Sequence, residues 1–253
     1  MVTLFVTTNV LSVHAKEVFE GRATTYGLTK AIGGGCSARK APNGVNETLF
    51  AAMNRQQYAD SASCSRCISV KGAKGTVLAY VADYCYECGE NNLDLNTALW
   101  DAVIGGDPRI EPISWYFTPC PDEKEKFCVK EGSNAHWFAL QVVNSRDGIK
   151  SMEIEGQDAA VIGITSFYQV SPSAPLDLGR IDVKITSTSG ITSKLTLASK
   201  DYNDCPMPSD NSNSNTNAPA TVTSTPIITV DTTGVKPHQY AWQAYRRRRA
   251  KYY

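Results

Sequence analysis

The stretch Val77-Leu-Ala-Tyr-Val-Ala-Asp-Tyr-Cys-Tyr-Glu-Cys-Gly-Glu-Asn-Asn-Leu-Asp-Leu-Asn-Thr-Ala-Leu-Trp-Asp-Ala-Val-Ile104 changes character along its length. Val77 to Val81 clusters branched and aromatic residues, the texture of a strand. Cys85 and Cys88 follow as a Cys-x-x-Cys pair. In Leu93-Asp94-Leu95 the period is two: if the segment is extended, both leucines point inward and Asp94 points out. From Asn96 the texture turns helical. Asn96 can accept from the first free N–H groups, and Gly105-Gly106 can stop the far end.

Outward from this stretch, residues 17 to about 121 hold six of the eight Cys, many Gly and further short β-like runs, which predicts a cross-linked β domain. A second short helix is expected near Leu49 to Met53. Pro121-Asp-Glu-Lys-Glu-Lys126 is polar, lacks any apolar anchor and reads as an interdomain linker. Beyond it, Trp137 to Val143, Lys150 to Glu155, Ile181 to Ile185 and Lys194 to Leu197 alternate or nearly alternate between turn residues. That spacing predicts a small antiparallel sandwich over residues 127–205. Trp137 and Phe138 are neighbours on such a strand, so one should be core and the other exposed. At the start, Met1 to Ala15 is mildly apolar and ends in small residues, as a signal peptide cut after Ala15 would. Residues 206–253, rich in Ser, Thr, Asn and Pro before a basic aromatic end, read as a disordered tail.

The 253 residues carry 25 Lys+Arg against 25 Asp+Glu. A formal charge of zero argues against a nucleic-acid binder working by overall charge. The balance is an average over unlike parts: residues 206–253 hold six Lys+Arg and two Asp+Glu, and the preceding 205 residues hold 19 against 23. With 42% hydrophobic residues there is enough material for a core, yet no run of ~18 apolar residues spans a bilayer. The chain has no phosphate-binding glycine loop, no Gly-x-Ser-x-Gly elbow and no His-Glu-x-x-His. Of its three histidines only His136 lies between the signal and the tail, so nucleophilic triads and His-rich metal sites lack the residues they need.

Two Cys-x-x-Cys pairs, Cys64 with Cys67 and Cys85 with Cys88, admit a tetrahedral zinc site or a set of disulfides. The signal segment and the four further Cys favour disulfides, whose connectivity does not follow from spacing. Asn46-Glu47-Thr48 is a glycosylation sequon, meaningful only in a secreted chain. Asp83 and Asp94 stand out as a pair because sugar chemistry uses two carboxylates, although each taken alone reads as a turn or solvated residue. Tyr26, Tyr84, Tyr86, Trp115, Trp137 and Tyr168 are candidate platforms for sugar faces, though any one of them is more often core.

In order along the chain, Gly21-Arg-Ala-Thr-Thr-Tyr-Gly27, Gly33-Gly-Gly-Cys36, Cys64-Ser-Arg-Cys67, Val81-Ala-Asp-Tyr-Cys-Tyr-Glu-Cys88, Leu93-Asp-Leu-Asn96, Ile113-Ser-Trp-Tyr-Phe-Thr-Pro-Cys-Pro121, Lys130-Glu-Gly-Ser-Asn-Ala-His-Trp137 and Gln141-Val-Val-Asn144 resemble the expansins and expansin-like proteins. The first half is also similar to the family-45 endoglucanase domain. The resemblance implies a mainly β fold: a six-stranded double-psi β-barrel over 17–121, followed by an immunoglobulin-like β-sandwich that binds polysaccharide. It implies that Thr25, Tyr26, Asp83 and Asp94 line an open groove, with Asp94 at the position of the family's essential aspartate. On the sandwich it implies a planar surface in line with the groove. There His136 and Trp137 stand where relatives carry two adjacent aromatics, Tyr168 lies near the third, and Lys130 adds a polar contact.

Family-45 hydrolases place an aspartate just after the aromatic corresponding to Tyr26, whereas Gly27 follows it here. The implied activity is therefore loosening of cell-wall cellulose or another β-glucan without hydrolysis, by a secreted monomer that is not an enzyme and uses no cofactor or metal. An endoglucanase or lytic transglycosylase using Asp94, and a non-catalytic barrel that binds or inhibits a protein, are the alternatives. The family pattern also implies the disulfides Cys36–Cys64, Cys67–Cys120, Cys85–Cys88 and Cys128–Cys205.

Overall fold

The structure, a computed structural model, describes residues 17–205 except Glu123, Arg146 and Asp204. The signal peptide expected over 1–15 and the tail expected over 206–253 lie outside the described residues. Six strands, β1 (Phe19–Tyr26), β2 (Phe50–Met53), β3 (Cys67–Gly72), β4 (Gly75–Tyr84), β5 (Leu93–Asn96) and β6 (Glu111–Thr118), close a barrel in the order β1-β5-β2-β4-β3-β6. Two pairings, β1 with β5 and β2 with β4, are parallel, and the others are antiparallel. Parallel neighbours need long crossovers, and two of them interlocked in one closed sheet make the double-psi barrel.

Strand alternation sends one row of side chains inward. Ala23, Ile68, Val70, Leu93, Leu95 and Trp115 meet there, and the Trp115 indole N–H donates to the Asn91 carbonyl at 2.7 Å. Helix α2 (Thr97–Val103) adds Leu99, Trp100 and Val103 to the same core. Each buried leucine, isoleucine or valine among them stabilises the fold by about 1.5–3 kcal/mol. The helix begins as the sequence predicts: Asn96 Oδ1 accepts from the Leu99 N–H at 3.1 Å. The run near Leu49 to Met53 differs from expectation, because Phe50–Met53 is a strand held between β4 and β5 with all four residues buried. With both faces covered, no alternation distinguishes it from a buried helix. The helix lies just beyond, as α1 (Arg55–Tyr58), capped by Asn54.

The second sheet contains β7 (Lys126–Val129), β8 (Phe138–Val143), β9 (Ile149–Ile154), β10 (Gln157–Val161), β11 (Phe167–Val170), β12 (Arg180–Ser187) and β13 (Thr192–Ala198). Its order is β13-β12-β9-β10-β11-β8-β7, antiparallel throughout. β10 pairs with β9 through its first residues and with β11 through its last, so the sheet curls there. Its halves meet over Phe127, Phe138, Leu140, Ile154, Val183 and Tyr202, an immunoglobulin-like sandwich.

Disulfides join Cys36 to Cys64, Cys67 to Cys120, Cys85 to Cys88 and Cys128 to Cys205, the pairing the resemblance implies. Because Cys85 bonds its own partner Cys88, the two Cys-x-x-Cys pairs share no thiolate zinc site.

A polar junction fixes the barrel to the sandwich. Gln141 Nε2 donates to the Cys36 and Ser37 carbonyls, each at 3.2 Å, and to Ser166 Oγ at 2.7 Å. Its Oε1 accepts from the Arg39 N–H at 3.0 Å. Arg39 and Glu131 form an ion pair, Tyr58 donates to the Ile164 carbonyl, and the Ile149 N–H donates to the Ala62 carbonyl at 3.1 Å. Gly148, with φ of +80°, passes so close to Ala62 that a Cβ would lie 2.2 Å from its carbonyl oxygen.

Candidate functional site

Backbone register builds the site before any side chain is considered. Ala52 of β2 lies opposite Asp83 of β4 on one side and Asp94 of β5 on the other, and Thr24 of β1 lies opposite Asp94. At 4.7–4.9 Å between strands, the row Asp83, Ala52, Asp94, Thr24 crosses about 14 Å of the barrel's outer face. The small Ala52 gives that row a low floor between two acids.

Each acid is held differently. Asp94 accepts from Thr24 Oγ1 at 2.7 Å. Burial raises its pKa to about 6, and the nearby Asp83 and Glu87 carboxylates add to the rise against the opposing Thr24 hydrogen bond. Asp83 Oδ1 accepts the N–H groups of Gly35 at 2.5 Å and Tyr84 at 2.7 Å. Burial raises the Asp83 pKa while those N–H groups oppose the shift. The glycine turn makes this approach possible: a Cβ on Gly34 would sit 2.4 Å from the Ala82 carbonyl oxygen. Tyr26 lies on the same face of β1 as Thr24. Its hydroxyl is buried and completes no hydrogen bond, yet lies near enough to Asp83 to help hold that charge. Burial, then Asp83 and Asp94, push the Tyr26 pKa upward.

Thr25 is a correction. It lies opposite the fully buried Leu95, so its side chain faces the barrel interior, with Oγ1 buried and unpartnered. Adjacent strand residues face opposite ways, so Thr25 and Tyr26 cannot both line the groove. Thr24, which the sequence reading missed, fills that place, and the period-two spacing back from Tyr26 was the available signal.

Tyr86, 81% exposed, stands at the Asp83 end of β4 in the loop closed by Cys85–Cys88. Its ring packs edge-on against Tyr84, which packs on Tyr58. Trp115 is fully buried and is core. Along β1 the outward row continues from Thr24 through Arg22 to Glu20, into a hollow of about 690 Å³ beside Lys71 and Glu111 that holds neither acid. Among the described residues, no group of three or more His, Cys, Asp or Glu could hold a metal ion.

On the sandwich, Phe138 is buried and Trp137 is half-buried, as the alternation requires. The Trp137 indole N–H donates to Gln169 Oε1 at 2.8 Å. Gln169 and Ala139 pair on the outer face, and Phe167 and Gln141 pair next to them toward the barrel. Lys130 Nζ lies 5.6 Å above the Phe167 ring, and His136 is exposed beside Trp137. Lys130, His136 and Trp137 therefore share a region. Tyr168 does not: it is 3% exposed, lies in the sandwich core and donates to the Ile149 carbonyl at 2.9 Å. Phe167, its neighbour, has the right facing but is buried beneath Lys130 and Arg39. Among the described residues, the outer face thus exposes one large aromatic, Trp137.

A double-psi barrel carrying a row of half-buried acids, clamped to a sandwich with a polar-aromatic outer face, defines a two-domain β protein. The crystal structure of apo expansin from Clavibacter michiganensis shares this architecture with a TM-score of 0.60 and 30% identity, covering 75% of this chain and 93% of that one. The chain belongs to the expansin family. A variant of the Clavibacter protein crystallised with cellohexaose matches at 29% identity over the same shares, with a TM-score of 0.60. Expansin-like protein 5 of Dictyostelium discoideum is 25% identical over 206 residues, covering 75% of this chain and 85% of its own length. No family model matches the chain.

Proposed function

We propose that this chain is a secreted protein that lays a cell-wall β-glucan along the barrel groove and the sandwich face, and loosens the wall without cleaving the chain. The observation that carries the reading is Asp94, mostly buried, bonded to Thr24 and holding its proton to about pH 6 at the centre of an open row. A neutral carboxyl there donates to a glycan oxygen, while a carboxylate only accepts. The Tyr26 hydroxyl, held beside Asp83, supplies a second group at the same place. Together they replace hydrogen bonds that a glucan makes to its neighbours. The cellohexaose complex of the Clavibacter protein supports a β-glucan as the ligand class.

Hydrolysis by inversion needs a base as well as an acid, with carboxyl groups about 6.5–9.5 Å apart. Gly27 supplies no carboxylate after Tyr26. Asp83 sits two strand spacings from Asp94, roughly 9–10 Å at the backbone, but its Oδ1 is engaged by two N–H groups. Lys130, His136 and Trp137 extend the contact onto the sandwich. With a single large aromatic there, adhesion to flat crystalline cellulose is weaker than to loose or soluble glucan. The working units are residues 17–121 and 127–205, and oxidising export is supported by four disulfides.

The test incubates the purified full chain with cellulose and isolated walls, following bound protein, released reducing ends and mechanical creep together. Binding and creep without reducing ends are expected. Reducing ends abolished by Asp94→Asn would make the chain a hydrolase or transglycosylase, and neither binding nor creep would point to a barrel directed at a protein ligand.

A further inference from the structure

We propose that Asn46 carries an N-linked glycan, a site that the groove does not use. Asn46-Glu47-Thr48 is the only Asn-x-Ser/Thr triplet in the chain. In the fold all three residues are exposed, on the turn that leads into β2. Asn46 Oδ1 accepts from the Thr48 N–H at 3.0 Å and from Thr48 Oγ1 at 2.9 Å. The carboxamide is thereby folded back on the threonine by its oxygen. Its nitrogen, the atom a glycan needs, donates no hydrogen bond among the described residues.

The backbone under the triplet is bolted down. The Leu49 N–H donates to the Asn46 carbonyl at 3.0 Å, the Tyr80 hydroxyl to the Glu47 carbonyl at 2.9 Å, and Asn96 Nδ2 to the Thr48 carbonyl at 2.8 Å. None of these contacts involves the Asn46 side chain, so a sugar on its nitrogen disturbs nothing in the fold.

The chemistry requires a co-reactant from the secretory membrane, a polyprenyl pyrophosphate-linked oligosaccharide. Asn46 Nδ2 forms a bond to sugar C1, and the bond from C1 to the pyrophosphate oxygen breaks. Polyprenyl pyrophosphate leaves, and Nδ2 gives up one proton to solvent, with no oxidation or reduction. Asn96 lies two residues beyond Asp94 on the same face of β5, opposite Tyr26. The glycan therefore rises from the wall at the Tyr26 end of the groove.

The inference rests on the proposed export of the chain, and the experiment separates the two. The full chain is expressed in eukaryotic cells twice, with its own N-terminus and behind a heterologous cleavable signal peptide. Intact mass is measured with and without peptide-N-glycosidase, and the peptide containing residue 46 is mapped for enzymatic conversion of Asn to Asp in ¹⁸O water. The form led by the heterologous signal is expected to lose one glycan mass on treatment, all of it at Asn46. Asn46→Gln and Thr48→Ala should abolish the shift and Thr48→Ser should keep it. A glycan on the heterologously led form alone overturns the export reading and upholds the site. Disulfide-bonded protein in the medium with no glycan at Asn46 overturns the site.

Discussion

Replacing Asp94 by Asn should change the pH dependence of stability in a direction fixed by its environment. An ordinary Asp ionises near 3.8, whereas folded Asp94 does so near 6, mainly because the fold buries it. A folded value above the unfolded one means that the stabilising contribution is complete below about pH 3.8 and is lost as pH rises through about 6. At about 1.36 kcal/mol per pH unit, roughly 3 kcal/mol disappears across that window. Asn keeps the shape and never acquires the charge. Its stability relative to the native chain should therefore climb by about 3 kcal/mol between pH 3.5 and 7.5. Urea unfolding of both proteins at half-unit pH steps reads this directly, because groups common to both cancel in the difference. A difference flat to within about 0.5 kcal/mol would refute the perturbed carboxyl and the donor role built on it. If that role holds, glucan binding should weaken through the same window in the native chain and stay level in the variant.

Gly34→Ala drives a methyl into the Ala82 carbonyl oxygen. A loss of about 1–3 kcal/mol is expected in urea unfolding, with weakened glucan binding as the Asp83 cradle opens. Gln141→Leu removes all four hydrogen bonds of the junction amide at one stroke and strands the Arg39 N–H. It should cost about 2–4 kcal/mol and broaden the interdomain distance distribution in small-angle scattering; an unchanged distribution would count against the clamp. Removing the disulfide by Cys128→Ala with Cys205→Ala opens a loop of sequence separation 77. The loop-entropy relation gives about 4–5 kcal/mol, to be checked by urea unfolding of the sandwich signals.

The sequence announced β4, β5, α2 and most of the long sandwich strands because their periodicity is unambiguous. β2 was missed because burial on both faces removes the alternation that identifies a strand. β10 and β11 were missed because they are short, and the one at the curl pairs with two partners in turn. Asp83 and Asp94 were legible as a pair of carboxylates but their spacing was not, since what sets it is the shared neighbour Ala52, a fact of register. Thr24 and Thr25 differ only in the parity of their position, and family likeness picked the wrong member of two identical residues. Tyr168 erred the same way: on a strand, a shift of one residue exchanges core for surface.

The Gln141 junction also bears on mechanics. A hinge between the barrel and the sandwich would let motion of one dissipate before reaching the other. Four hydrogen bonds from a single buried amide, backed by the Arg39–Glu131 pair, make the joint stiff. A displacement of the sandwich is therefore carried to the barrel, and to the row that holds Asp94, as the movement of one body.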